Sequence, residues 1–134
     1  MPLVRIDLRK GKSAEYVRAV GEAVHRAIAE VLGAPARDNF QVITKHDADH
    51  LLYSPDYLDI ARSDDIIFVQ ITLLAGRDAA KKQAFYARVV ELLKDKPKVR
   101  PEDVVITLVE DKPEDWSFGN GVGQYMVLPR DKWK

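Results

Sequence analysis

The sequence predicts an α+β fold in which two βαβ units, one repeating the other, form a four-stranded sheet with two helices on one face. Three observations carry this. Strand and helix periodicities alternate along the chain, and the alternation restarts after a polar loop. Sliding the chain against itself by 65 residues aligns Val4, Ile6, Leu8, Gly11, Ala14, Ala19, Val24 and Asp38 with Val69, Ile71, Leu73, Gly76, Ala79, Ala84, Val89 and Asp103 without a gap. Strand, glycine turn, helix and second strand coincide in register, so a duplicated unit is the economical explanation.

Pro2 to Leu8 alternates, with Leu3, Arg5 and Asp7 against Val4, Ile6 and Leu8, and reads as a short strand. Ser13 can cap a helix in which Val17, Val20, Val24, Ile28 and Val31 recur at three- and four-residue spacing, ending at Gly33 and Pro35. Residues 38–44 read as a strand, completing a first repeat over about residues 2–44. Residues 46–63 are polar and broken by Ser54, Pro55 and Asp56, which makes them a loop. The second repeat covers about residues 66–109: an apolar, β-branched run from Ile66 to Leu74, a helix over 77–94 with Phe85, Val89 and Leu92 on one face, and a strand over 104–109. Residues 111–134 contain Trp116, a turn signal at Gly119 to Gly121 and an apolar stretch at 125–128, and read as a C-terminal hairpin or arm of the same domain.

A βαβ crossover sets its two strands parallel with the helix on one face. Two units therefore hide one face of the sheet. The strands read as apolar on both faces, Ile66 to Leu74 most clearly, so the uncovered face calls for another subunit.

Composition narrows the function classes. At 134 residues with 46% hydrophobic content, the chain suits one domain over residues 1–134. Lys plus Arg and Asp plus Glu both number 21, which leaves no basic excess for a phosphate backbone, and no nucleic-acid partner is expected. No apolar run approaches the roughly 20 residues of a membrane span, and Arg5, Asp7, Arg9 and Lys10 interrupt any signal-peptide pattern, so no membrane association is expected. The absence of cysteine removes disulfides and thiolate chemistry and suits the cytoplasm.

Pro2 directly follows Met1. Once Met1 is removed, Pro2 becomes a secondary amine able to exchange a proton. An α-amino group titrates near pH 8 in the open, and burial beside a cation lowers it toward a useful general base. His25, on the first helix, and His46 and His50, four apart in a broken segment with Asp47 and Asp49, do not form a metal-ligand pattern, and no metal is expected.

Several residues together resemble the tautomerase superfamily, in the branch of malonate semialdehyde decarboxylase and its homologues. They are Pro2 opening a strand, the duplicated βαβ unit, Pro35, Ala36, Asp38 and Gln41, then Gly76 and Arg77, Phe85 and Tyr86, and the closing Asp115, Trp116, Ser117, Phe118 and Gly119. The resemblance implies a tautomerase-like fold in a barrel-like homotrimer, activity without a cofactor, and a small carboxylate substrate. It makes Pro2 the catalytic amine, general base in tautomerases and cationic acid in decarboxylases and hydratases. Asp38 assists the proline or positions water.

The resemblance also implies a substrate carboxylate held by two arginines one residue apart. Here these positions fall on Ala75 and Arg77, so one cation is lost. Arg77 alone can grip a carboxylate bidentately. Placed just inside a helix start, where the helix dipole disfavours a cation, it points to function more than to structure. Arg62, in the loop, is the first candidate for a second cation. Trp116 and Phe118 would supply an apolar wall that strengthens nearby charges.

The leading expectation is a keto-enol tautomerase of a small 2-oxo or 2-hydroxyenoic acid with Pro2 as base. The alternatives are a malonate semialdehyde decarboxylase- or hydratase-like lyase using cationic Pro2, and a non-catalytic oligomeric interaction protein of the same fold.

Overall fold

The computed structural model describes residues 2–134. Its elements run β1 (Pro2–Arg9), α1 (Ala14–Ala27), β2 (Phe40–His46), β3 (Ile67–Leu74), α2 (Ala79–Asp95), β4 (Val104–Asp111) and a short α3 (Gln124–Val127). The strands form one sheet in the order β2-β1-β3-β4. β1 is parallel to β2 and β3 to β4, and the two units join antiparallel through β1 and β3.

The strand registers carry the repeat into three dimensions. Leu3 pairs with Phe40, and Phe68 pairs with Val105, each residue of the second pair lying 65 positions beyond its counterpart in the first. Arg5 pairs across the β1–β3 ladder with Gln70, its own counterpart. The two units are therefore related by an approximate two-fold axis through that pair, which makes the two ends of the sheet equivalent in backbone.

Each main helix starts on a side-chain acceptor. Ser13 Oγ accepts from the Tyr16 amide at 3.0 Å, and the Asp78 carboxylate from the Lys81 amide at 2.8 Å. These satisfy amides that a first helical turn leaves without intrahelical partners. Because Asp78 takes the capping position, α2 begins two residues later than its apolar spacing suggests. α1 continues into a π-helical turn, Ile28–Leu32, that ends at Gly33 with φ of 76°, a left-handed conformation suited to glycine.

Val20, Val24 and Ile28 from the first helix, and Phe85, Val89 and Leu93 from the second, pack over Val4, Ile6, Val69 and Ile71. All ten are at most 1% exposed. Burying one such side chain contributes about 1.5–3 kcal/mol, so this helix-facing layer holds the protomer together.

The opposite face is less apolar than the strand sequences suggest. Arg5, Asp7 and Gln70 lie on it among the exposed Leu3, Val42 and Val109. Strand alternation is the reason: in β3 the most buried residues point to the helices, leaving Gln70 and Thr72 on the open side.

Of the hairpin or arm expected for residues 111–134, the hairpin does not form, since beyond Asp111, the last residue of β4, that segment joins no sheet ladder. Pro113 and Pro129 remove backbone donors, and the chain instead makes short turns around α3. These turns bring Phe118 to within 6.1 Å of the Phe40 ring. Among the described residues, no helix is long and apolar enough to cross a membrane.

Candidate active site

One end of the sheet gathers polar groups from all four strands. Pro2 opens β1 and is buried, Asp38 lies two residues before β2, Arg77 follows β3, and Asp111 closes β4. The register explains the gathering: Pro2 pairs with Leu73 near the end of β3, and Leu74 pairs with Asp111. Met1, on whose removal the Pro2 amine depends, lies outside the described residues.

Arg77 is half-buried and oriented by two main-chain oxygens. Its Nη1 donates to Leu74 O at 3.1 Å and its Nη2 to Leu32 O at 2.9 Å. Nε and one hydrogen on each Nη remain for a ligand. Burial pulls its pKa down, opposed by Glu110 and Tyr125. A guanidinium stays protonated regardless, so partial desolvation strengthens its pull on an anion.

The structure changes the argument from the helix dipole. Arg77 precedes the N-cap Asp78 and reaches the carbonyl that ends the first helix, where a cation is favoured. The residue therefore has a structural task as well as free donors.

Asp38 sits in a turn closed by its amide donating to Pro35 O at 2.9 Å. Helix α1 braces that turn through His25, whose Nε2 lies 2.7 Å from Ala36 O. Burial pushes the Asp38 carboxyl up, with nearby positive charge, His25 included, pulling the other way. Its repeat counterpart Asp103 differs. That carboxylate is fully buried, accepts from the Ser63 amide and hydroxyl at 2.7 Å each, and lies 3.5 Å from Arg100. Asp103 is a structural aspartate; Asp38 lies on a cavity.

That cavity, of about 310 Å³, is lined by Arg37, Asp38, Phe40, Phe118, Tyr125 and Trp133, among others. Pro2, Arg77 and Trp116 do not contribute to the lining. Trp116 stacks on Phe118 at 5.3 Å with 9° between the planes, and Phe118 meets Tyr125 edge-on at 4.9 Å. Gln124 fixes the wall by accepting from the Phe118 amide and donating to Gly119 O. Tyr125 ties the cavity to the polar cluster: burial, followed by the charges of Asp38 and Asp111, pushes its phenol up to about 12, while Arg77 opposes them.

A larger cavity, about 380 Å³, occupies the other end of β1, where the repeat sets Lys12 in place of Arg77. Its cations are held by aspartates: Arg9 by Asp64 at 3.0 Å, Lys10 by Asp47 at 3.0 Å and Lys12 by Asp65 at 2.7 Å. The counterpart of Pro2 there is Ile67, an internal residue without an amine. An α-amine freed by loss of Met1 would therefore lie at the Pro2 end.

Arg62 is not beside Arg77. Its Nη1 donates to Ser54 O, Tyr57 O and Ile60 O within its own loop, and it shares a hollow with Phe68 at the opposite end of β3. His46 pairs with Asp7 at 2.6 Å. Tyr125, Asp111, Arg37 and Trp133 were not foreseen as site residues. The signal for Asp111 was its place at the end of the strand that pairs with the residues before Arg77. Tyr125, read as part of an apolar stretch, follows a glycine-rich turn that folds it back on Phe118.

Two family models, both described as tautomerase enzyme, match residues 38–119 and 2–59. The chain is 36% identical over 124 residues to the protein named probable tautomerase YusQ of Bacillus subtilis (strain 168), covering 92% of this chain and 98% of that one. Probable tautomerase YrdN of the same organism is 28% identical, over 95% and 98%. Among solved structures, FG41 malonate semialdehyde decarboxylase inhibited by 3-bromopropiolate superposes with a TM-score of 0.88 at 39% identity, covering 95% of this chain and 99% of that chain. Fused 4-OT, with a TM-score of 0.75 at 17% identity, shares the fold over 91% of this chain and 96% of its own. The chain belongs to the tautomerase superfamily, in its malonate semialdehyde decarboxylase-like branch.

Proposed function

We propose that the protein is a cofactor-independent tautomerase of a small 2-oxo or 2-hydroxyenoic acid. In this reading Arg77 holds the carboxylate, and neutral Pro2 nitrogen takes the enol hydroxyl proton as the carbonyl forms and returns a proton to the adjacent carbon. Arg77 also stabilises the charge that develops on oxygen. Trp116 and Phe118 exclude water, and Asp38 assists the amine. The observation that carries the reading is the pre-oriented, partly desolvated Arg77 guanidinium at the Pro2 end, with Ala75 where the decarboxylase pattern places a second arginine. One cation suffices where the carboxylate is retained throughout. Ketonisation of enolic phenylpyruvate, assayed on protein whose intact mass verifies a Pro2 terminus, tests it directly.

A second reading is a malonate semialdehyde decarboxylase or hydratase using protonated Pro2. It is favoured by the 39% identity to a malonate semialdehyde decarboxylase over nearly the whole chain, and by a half-buried Asp38 able to activate water. The pH dependence separates the two: a base requires neutral Pro2, and rate rises with pH through its pKa, whereas an acid requires the protonated amine.

The assembly belongs to the same proposal. Exposed Leu3, Val42 and Val109 on the open sheet face, and the trimers described for fused 4-OT, support a homotrimer. Light scattering should give three times the protomer mass at micromolar concentration.

A further inference from the structure

The cavity beside Asp38 has a second wall, built by residues that follow α3. The Trp133 ring lies 4.0 Å from that of Tyr125, and its Nε1 donates to Leu128 O at 3.1 Å. The Arg130 guanidinium sits 5.1 Å from the Trp133 ring centroid. Arg37, on the turn that carries Asp38, donates from both Nε and Nη2 to the main-chain oxygen of Lys134. The segment carrying Trp133 is thus fastened at both ends to the site, and Trp133 faces the cavity together with Phe40, Phe118 and Tyr125.

These four rings pack in series, Phe40 on Phe118, Phe118 on Tyr125 and Tyr125 on Trp133, into one aromatic wall of the cavity, whose lining also includes the cationic Arg37 and Lys132. At about 310 Å³ the space lies in the range of small-molecule pockets, ample for a ring-sized substituent, and a three-carbon acid would leave much of it to water. Aromatic walls favour a planar apolar guest through area burial and through offset or edge-on ring contacts. We infer that Trp133 is a specificity-determining residue, selecting carboxylic acids whose side chain ends in a flat apolar group. This rests on the proposed site at the Pro2 end, and it names the class of substrate side chain that the site takes.

Non-reacting probes test it without depending on turnover. Calorimetric titration of 3-phenylpropanoate and of butanoate should show the aryl acid binding more tightly to the unaltered protein. Trp133→Ala should weaken the aryl acid by about tenfold and leave butanoate within about twofold. Trp133→Phe should restore most of the loss, which separates a lost wall from a disordered segment. Equal weakening of both acids, an unchanged preference, or no binding of either by the unaltered protein would overturn the inference. Discrimination without any ketonisation of phenylpyruvate would support the aromatic wall while removing the tautomerase reading.

Discussion

Arg5 of β1 faces Gln70 of β3 across the antiparallel ladder, and Gln70 is the residue that a 65-position shift makes equivalent to Arg5. The approximate two-fold axis at this pair gives the sheet two ends with the same backbone and different chemistry. At one end lie Pro2, which opens β1, and the segments that carry Arg77 and Asp38. At the other, an internal isoleucine meets Lys12, which is paired with Asp65, and Asp103, which is consumed by Ser63. The two ends share a backbone, and an α-amine freed by loss of Met1 would lie at the Pro2 end, whereas the amines of Lys10 and Lys12 at the other end are paired with aspartates.

Asp38 should trade stability for activity. Burial holds its carboxyl above the usual aspartate range, so the folded state disfavours the ionised form. The cost of its ionisation therefore builds up as pH rises from the unfolded value near 4 to the raised pKa, stays constant above that, and is absent below about 4. Asp38→Asn should raise Tm at pH 7, with the gain shrinking as pH falls through the raised pKa toward about 4 and absent below it, while turnover drops. A Tm unchanged or lowered at neutral pH would show that the carboxylate is a stabilising group.

Arg77→Ala should act chiefly through KM. Loss of a charge-assisted hydrogen bond to the substrate carboxylate corresponds to about 1.5–3 kcal/mol, or roughly 10- to 150-fold in kcat/KM. The same change leaves Leu32 O and Leu74 O without their donor, so thermal denaturation should also show a lower Tm. Arg77→Lys should recover part of the charge and little of the geometry, because an ammonium cannot reproduce the fork. Steady-state kinetics with unchanged KM would remove Arg77 from carboxylate binding.

The repeat, the four strands and both long helices were legible because each rests on a local period. Val4, Ile6 and Leu8 alternate, and Phe85, Val89 and Leu92 recur at helical spacing. Pro2, Asp38, Arg77, Trp116 and Phe118 could be named through the family resemblance, and all five come to one end of the sheet or to the wall packed against it. Tyr125, Arg37 and Trp133 could not, since they reach the cavity by the chain folding back after β4, and no periodicity records such a return. The apolar spacing carries the first helix to Gly33, as found, but not the π-helical form of its last turn, Ile28–Leu32, which delivers the carbonyl that orients Arg77.

Ala75→Arg probes the departure from the decarboxylase pattern. Ala75 is exposed, and its amide donates to Asp111 O at 3.0 Å, an interaction that a new side chain leaves intact. A second cation one residue from Arg77 should increase malonate semialdehyde decarboxylation, followed as CO₂ release, while ketonisation stays within about threefold. Efficient decarboxylation by the unaltered protein would show that Arg77 needs no neighbour at position 75.

In the proposed mechanism the Pro2 nitrogen moves the proton. The decisive measurement is kcat/KM for ketonisation of phenylenolpyruvate by the wild type and by Pro2→Ala, each with its first residue verified by intact mass. Alanine keeps a free amine but makes it primary and less firmly placed, and the account predicts a fall of about 10²- to 10⁴-fold with Tm little changed. Turnover equal to that of the wild type would contradict it and take Pro2 out of the mechanism.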